Sequence, residues 1–90
     1  MTITVRNYTV YGIDVSINQW GDSGSAKPVT MQPAHIETWD RTDPRGFVMY
    51  VDGIYVAPYL VFANNTYTIA PHGVLDSHGN LLTPINQRFK

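Results

Sequence analysis

The sequence predicts an all-β fold: a small antiparallel β-sandwich or barrel of about seven to eight short strands, in one domain spanning 1–90. The strongest observation is the Asp52-Gly53 pair between two runs of β-branched and aromatic residues, because this pattern is typical of a tight hairpin. A second observation is that strand patterns follow each other with short polar gaps and without helical periodicity.

The first half of the chain contains four predicted strands. The first covers 2–7 and the second covers 12–20, and both alternate apolar with polar residues, as half-buried strands do. A short strand over 28–31 and another over 35–39 follow, separated by a turn at Gln32-Pro33. The predicted core side chains of the first two strands are Ile3, Val5, Ile13, Val15 and Ile17.

The segment of about 46–70 predicts a central three-stranded meander. A two-residue turn at Asp52-Gly53 pairs Val51 with Ile54, and a second turn at Asn64-Asn65 continues the sheet, since Asn tolerates positive φ. Both turns place one set of apolar residues on a single face, which we predict to be core. This face comprises Phe47, Met49, Val51, Ile54, Val56, Leu60, Phe62, Tyr67 and Ile69.

A last hairpin is predicted around 76–80, joining 74–75 to 81–82. The opposite face of the meander carries Tyr50, Tyr55 and Tyr59. This tyrosine face is either an inner surface that packs on a second sheet or an exposed interface for a partner.

Charge and composition exclude several function classes. Six Lys or Arg against seven Asp or Glu give a net charge of -1, which argues against nucleic acid as a partner, since such binding depends on neutralising phosphates. The charged fraction of 14% offers little protection against association, so we expect a homo-oligomer. The chain has no cysteine, which excludes disulfides and thiolate metal sites.

The opening residues lack a charged region followed by an apolar one, and no apolar run approaches the roughly 18 residues of a membrane-spanning helix. We therefore expect no transmembrane segment, and a protein that is cytoplasmic or released without a classical signal peptide. Two Asn-x-Thr sequons, at Asn7 and Asn64, are interpreted as turn chemistry.

No catalytic constellation is evident. The string Gly21-Asp22-Ser23-Gly24 resembles the pattern around the nucleophile of chymotrypsin-like proteases, but that family needs two barrels and a much longer chain. His35, His72 and His78 are not spaced as adjacent metal ligands. We expect no enzymatic activity, no metal site and no cofactor.

The remaining candidates predict a binding module. Trp20 and Trp39 lie at the edges of polar loops, where amphipathic rings suit a sugar face, a lipid interface or a protein hot spot; alternatively, they cap the core. The leading prediction is carbohydrate recognition by loop aromatics and polar side chains. The candidate ligand-binding residues are Trp20, Trp39, Asp40, Arg41, Asp43 and Arg45.

Two alternatives stay open. One is binding to a lipid headgroup at a membrane surface: an opening Asn-x-Thr strand and loop-borne Trp and Tyr resemble, in outline, the longer β-sandwiches of actinoporins and aegerolysins. No shared motif carries residue roles across. The other alternative is a structural or assembly subunit that associates through the tyrosine face or an open sheet edge.

Overall fold

A computed structural model of the chain describes residues 2–19, 27–41 and 44–85. The described residues form eight β-strands and no helix. The strands are β1 (Thr2–Asn7), β2 (Ile13–Ile17), β3 (Val29–Met31), β4 (Ile36–Asp40), β5 (Phe47–Asp52), β6 (Val56–Val61), β7 (Asn65–Ala70) and β8 (Gly73–Leu75).

The strands form two four-stranded sheets, which confirms the predicted sandwich and excludes the barrel. The first sheet has the order β4-β1-β7-β8 and the second has the order β3-β2-β5-β6. All pairs are antiparallel except β1 and β7, which are parallel. The sandwich is thus antiparallel at five of its six strand pairs.

The core lies between the two sheets, where alternate residues of each strand point inward. All five core side chains predicted for the first two strands are buried, and so are Phe47, Met49 and Val51 of β5. The strict polar–apolar alternation of β2 therefore located its inner face correctly.

The β5–β6 hairpin is confirmed, but its predicted register is wrong. The loop contains three residues, Gly53 to Tyr55, and Asp52 pairs with Val56. Because side chains alternate between faces, a shift by an odd number of residues exchanges the two faces of β6. Ile54 and Val56 are consequently exposed rather than in the core.

The predicted three-stranded meander is also wrong. Asn64 does form a turn with positive φ, but the chain there leaves the second sheet, and β7 enters the first sheet between β1 and β8. Tyr67 and Ile69 are buried as predicted, whereas Leu60 and Phe62 are exposed. The parallel pairing with β1 places β7 in the opposite layer from β6, so the two strands cannot share a face.

The shorter turns follow the sequence. The last hairpin is confirmed by a bridge between Leu75 and Leu81, and the Asp76 Oδ1 atom accepts backbone hydrogen bonds from His78 and Asn80, each at 2.9 Å. The turn before β4 is confirmed by a hydrogen bond from the His35 amide to the Gln32 carbonyl oxygen at 3.0 Å. Within the described residues, no helix is long and apolar enough to cross a membrane.

Candidate functional site

The two predicted tryptophans do not form an exposed platform in the described part of the chain. Trp39 lies on the inner face of β4 and is only 5% exposed, packed within the core cluster. The burial of Trp39 fits the alternative that this ring caps the core, and its ligand-binding role stays a prediction. Trp20 and Asp43 lie outside the described residues.

Arg41 is buried and stabilises the fold through its hydrogen bonds. Its Nε atom donates to the Asn18 carbonyl oxygen at 2.9 Å, Nη1 donates to the Asp40 carbonyl oxygen at 2.6 Å, and Nη2 donates to the Ile17 carbonyl oxygen at 2.7 Å. The guanidinium carbon lies 5.8 Å from the centre of the Phe47 ring. Burial lowers the pKa of Arg41, and the nearby Asp40 carboxylate partly opposes this shift. These contacts make Arg41 a structural clamp between β2 and β4, and its ligand-binding role stays a prediction.

Asp40 and Arg45 are exposed. Asp40, Trp39 and Arg41 border an open groove of about 320 Å³ between the edge strands β3 and β4. Because Trp39 is buried, its ring offers little surface to this groove, whose charged lining residues include Lys27, Glu37 and Asp40. A loop platform built on Trp39 and Arg41 is therefore not supported.

The three candidate interface tyrosines occupy different environments. Tyr59 is buried, Tyr55 is partly buried with its hydroxyl donating to the Ala70 carbonyl oxygen at 2.7 Å, and Tyr50 is 44% exposed. Burial, followed by the proximity of Tyr59, raises the pKa of Tyr55 to about 12. Burial also raises the pKa of Tyr59. The predicted tyrosine face does not exist as one surface, and of these three rings Tyr50 is the accessible one.

Tyr50 belongs to a shallow groove on the outer face of the second sheet. It lies beside Ser16 in the β2–β5 register, and two positions along the same strands Asp14 lies opposite Asp52. Pro28, which precedes β3, completes one side. We call this groove of about 150 Å³ the Tyr50 groove; its lining residues are Asp14, Ser16, Pro28, Tyr50 and Asp52.

The carboxylates of the Tyr50 groove are held close together by the sheet. The Thr30 hydroxyl donates to Asp14 Oδ1 at 2.6 Å, which orients this carboxylate across the face. Like charges directly opposite on neighbouring strands repel each other, and no Lys or Arg of the described residues forms an ion pair with Asp14 or Asp52. The groove therefore offers several hydrogen-bond acceptors next to a half-exposed aromatic ring. The described residues contain no cluster of three or more side chains that could hold a metal ion.

Sequence reasoning found Tyr50 but missed the two aspartates beside it. Asp14 is visible as a polar residue of an alternating strand, and Asp52 is visible as a turn residue. The two become one site only through the pairing of β2 with β5, which are separated by two other strands along the chain.

No protein-family model matches this chain, and comparisons with curated proteins and with solved structures find no significant match.

Proposed function

We propose that this protein is a non-catalytic binding module that recognises a carbohydrate at the Tyr50 groove. The observation that carries the proposal is the half-exposed Tyr50 ring beside two carboxylates on one flat sheet face. Sugars present hydroxyl donors around their edges and C–H groups on their faces. Carboxylates accept from the hydroxyls, and an aromatic ring packs against the C–H face.

The charge of the groove supports a neutral or basic ligand. Asp14 and Asp52 give it a local negative charge, which disfavours phosphates and other anions. The Ser16 hydroxyl adds a group that both donates and accepts. Since the groove is shallow and open to water, we expect weak binding, with a Kd on the order of 0.1–1 mM for a single site.

A glycan array with the protein displayed multivalently tests this proposal. Hits are then titrated by calorimetry with wild-type protein and with Tyr50→Thr, which keeps a strand-forming residue at this position. We expect Tyr50→Thr and the pair Asp14→Asn and Asp52→Asn each to weaken binding by at least about tenfold, since each removes a direct contact. Val48→Thr, an exposed position of the same strand and face, is the matched control.

The outcomes distinguish a site in the Tyr50 groove from a site around Trp20. A broad array without hits would overturn the carbohydrate proposal. A hit that Tyr50→Thr leaves unchanged and Trp20→Ala abolishes would move the site to the segment that contains Trp20.

A second candidate function is self-association, favoured by an apolar strip on the outer face of β5 and β6. Val48 of β5 and Leu60 of β6 are exposed there as cross-strand neighbours, and Phe62, directly after β6, is exposed as well. β6 is an edge strand, but Pro58 lacks an amide donor and its carbonyl oxygen already accepts from the Ile85 amide at 2.8 Å. A second copy would therefore pack on the face rather than extend the sheet.

Light scattering across a range of protein concentrations tests self-association. We expect a dimer at high concentration that Leu60→Lys converts to a monomer. A mass that is monomeric at all concentrations, for wild-type protein as well, would reject this candidate.

A further inference from the structure

All eight strands meet at one end of the sandwich through four short connections. Odd-numbered strands finish there and even-numbered strands begin there, because neighbouring strands are antiparallel and β1 is parallel to β7. The connections contain no Asp, Glu, Lys or Arg. We call this surface the uncharged end; its segments are 7–12, 32–35, 53–55 and 71–72.

Exposed apolar side chains concentrate at the uncharged end. Val10 is 79% exposed, Tyr8 is 70% exposed and Tyr11 is 59% exposed. Together with three aliphatic neighbours they account for six of the eleven large hydrophobic side chains exposed among the described residues. The six are Tyr8, Val10, Tyr11, Ile36, Ile54 and Val56.

The loop that carries three of these side chains is rigidly anchored. Asn7 is buried, and its Nδ2 atom donates to the carbonyl oxygens of Tyr11 and Met31 at 2.8 and 2.9 Å. Its Oδ1 atom accepts from the amide and the hydroxyl of Thr9 at 3.0 and 2.6 Å. These bonds hold the loop in one conformation, with its apolar side chains exposed to water. Because the loop is already ordered, it loses less conformational entropy on docking.

The nearest Asp, Glu, Lys or Arg residues lie on the strands, at similar distances behind the connections of the uncharged end. Arg6, Asp14, Glu37 and Asp52 lie on the strands one or two residues from the connections. With a rise of about 3.3 Å per residue, this places their Cα atoms roughly 3–7 Å behind the loops. An interfacial protein segment enters a bilayer by roughly 5–10 Å, so the charges would stay at headgroup level while the loops reach the acyl boundary.

We propose that the uncharged end is a docking surface for the interface of a lipid bilayer. Tyrosine is enriched at membrane interfaces because its ring is apolar and its hydroxyl polar, and Val10 and Ile54 present aliphatic groups beside such rings. Without Lys or Arg in the loops, anionic lipids gain no advantage, so the surface fits a zwitterionic bilayer. The inference is independent of the Tyr50 groove, which lies on the side of the second sheet.

Flotation with phosphatidylcholine vesicles tests this inference. We expect the protein to float with these vesicles to the same extent when the salt concentration is raised fivefold. A fifth of phosphatidylglycerol should lower the bound fraction, because three of the four flanking charged residues are carboxylates. Val10→Asp and Ile54→Asp are each expected to lower the bound fraction at least tenfold. Leu60→Asp, which charges an equally exposed aliphatic residue on the sheet face, is the matched control and is expected to float like wild type.

A second measurement reports which end touches the bilayer without adding a charge. The chain has no cysteine, so Val10→Cys and Ser77→Cys can each carry a single spin label. We expect vesicles to shield the label at position 10 from a water-soluble relaxation agent and to leave the label at position 77 accessible.

Protein that stays at the bottom with every vesicle would overturn the inference. Equal shielding at both labelled positions, or loss of flotation in the Leu60→Asp control, would overturn it as well. None of these results bears on sugar binding, which is measured with soluble glycans.

Discussion

The hydroxyl of Tyr55 donates a hydrogen bond to the carbonyl oxygen of Ala70 at 2.7 Å and so joins the two sheets. Tyr55 lies in the β5–β6 loop of the second sheet, and Ala70 is the last residue of β7 in the first. The bond closes the sandwich directly beneath the uncharged end.

Removing this bond is expected to change the alkaline stability of the protein. The pKa of Tyr55 is raised from 10.0 to about 12, so the folded state favours its neutral form. That stabilisation is complete below the ordinary pKa and is lost as pH rises through about 12. Tyr55→Phe should lower the free energy of unfolding at neutral pH by about 1 kcal/mol and flatten its decline in alkali. Urea unfolding of both proteins at neutral and at alkaline pH measures this. A free energy of unfolding that declines in alkali as steeply for Tyr55→Phe as for wild type would contradict the prediction.

Arg41 is expected to be the most sensitive charged residue of the described chain. Arg41→Met leaves three backbone carbonyl oxygens without their donor, so we expect a loss of about 3 kcal/mol or more in the free energy of unfolding. Arg41→Lys keeps the charge but offers one nitrogen, and should recover only part of this loss. Arg6→Met, at an exposed arginine of β1, should stay within about 0.5 kcal/mol of wild type. Equal losses in the free energy of unfolding for Arg41→Met and Arg6→Met would contradict the role of Arg41 as a structural clamp.

The two sequon asparagines should respond differently to the same isosteric change. Asn7→Asp places a carboxylate oxygen against the carbonyl oxygens of Tyr11 and Met31, and we expect it to lower the free energy of unfolding by about 2–4 kcal/mol. Asn64→Asp, in an exposed turn with positive φ that Asp also tolerates, should have little effect. Chemical denaturation of both variants is the measurement. The buried, fully bonded amide of Asn7 agrees with the interpretation of this sequon as turn chemistry.

Two glycines of the uncharged end provide a matched steric test. A Cβ atom at Gly53 would lie 2.7 Å from Ile13 Cγ1, inside van der Waals contact, whereas a Cβ atom at Gly12 would lie 3.8 Å from the Gln32 side chain. Gly53→Ala should therefore destabilise by about 1–3 kcal/mol, and Gly12→Ala should stay near wild type. Thermal unfolding of both variants measures the difference. A Gly53→Ala variant as stable as wild type would show that the β5–β6 loop adjusts freely.

Local patterns predicted the strands and the inner face of β2, because alternation depends on neighbouring residues only. They could not predict which strands become neighbours. The crossing of β7 into the first sheet depends on its pairing with β1, which is distant in the sequence. The register of the β5–β6 hairpin depends on the loop length, which an Asp-Gly pair alone does not determine. The structural role of Arg41 was missed for a similar reason: charged residues are rarely buried, and two of the carbonyl oxygens that accept from it lie at the end of β2.

The parallel pairing of β1 with β7 has a kinetic consequence. Ile3 lies beside Asn65, so β1 and β7 must meet across most of the intervening chain before this pair forms. Non-local pairing of this kind delays folding, often to milliseconds or seconds, because a long loop must close first. Until β7 pairs, β1 has only β4 as a neighbour and its other edge stays open, so we expect this edge to be a site of aggregation during slow refolding.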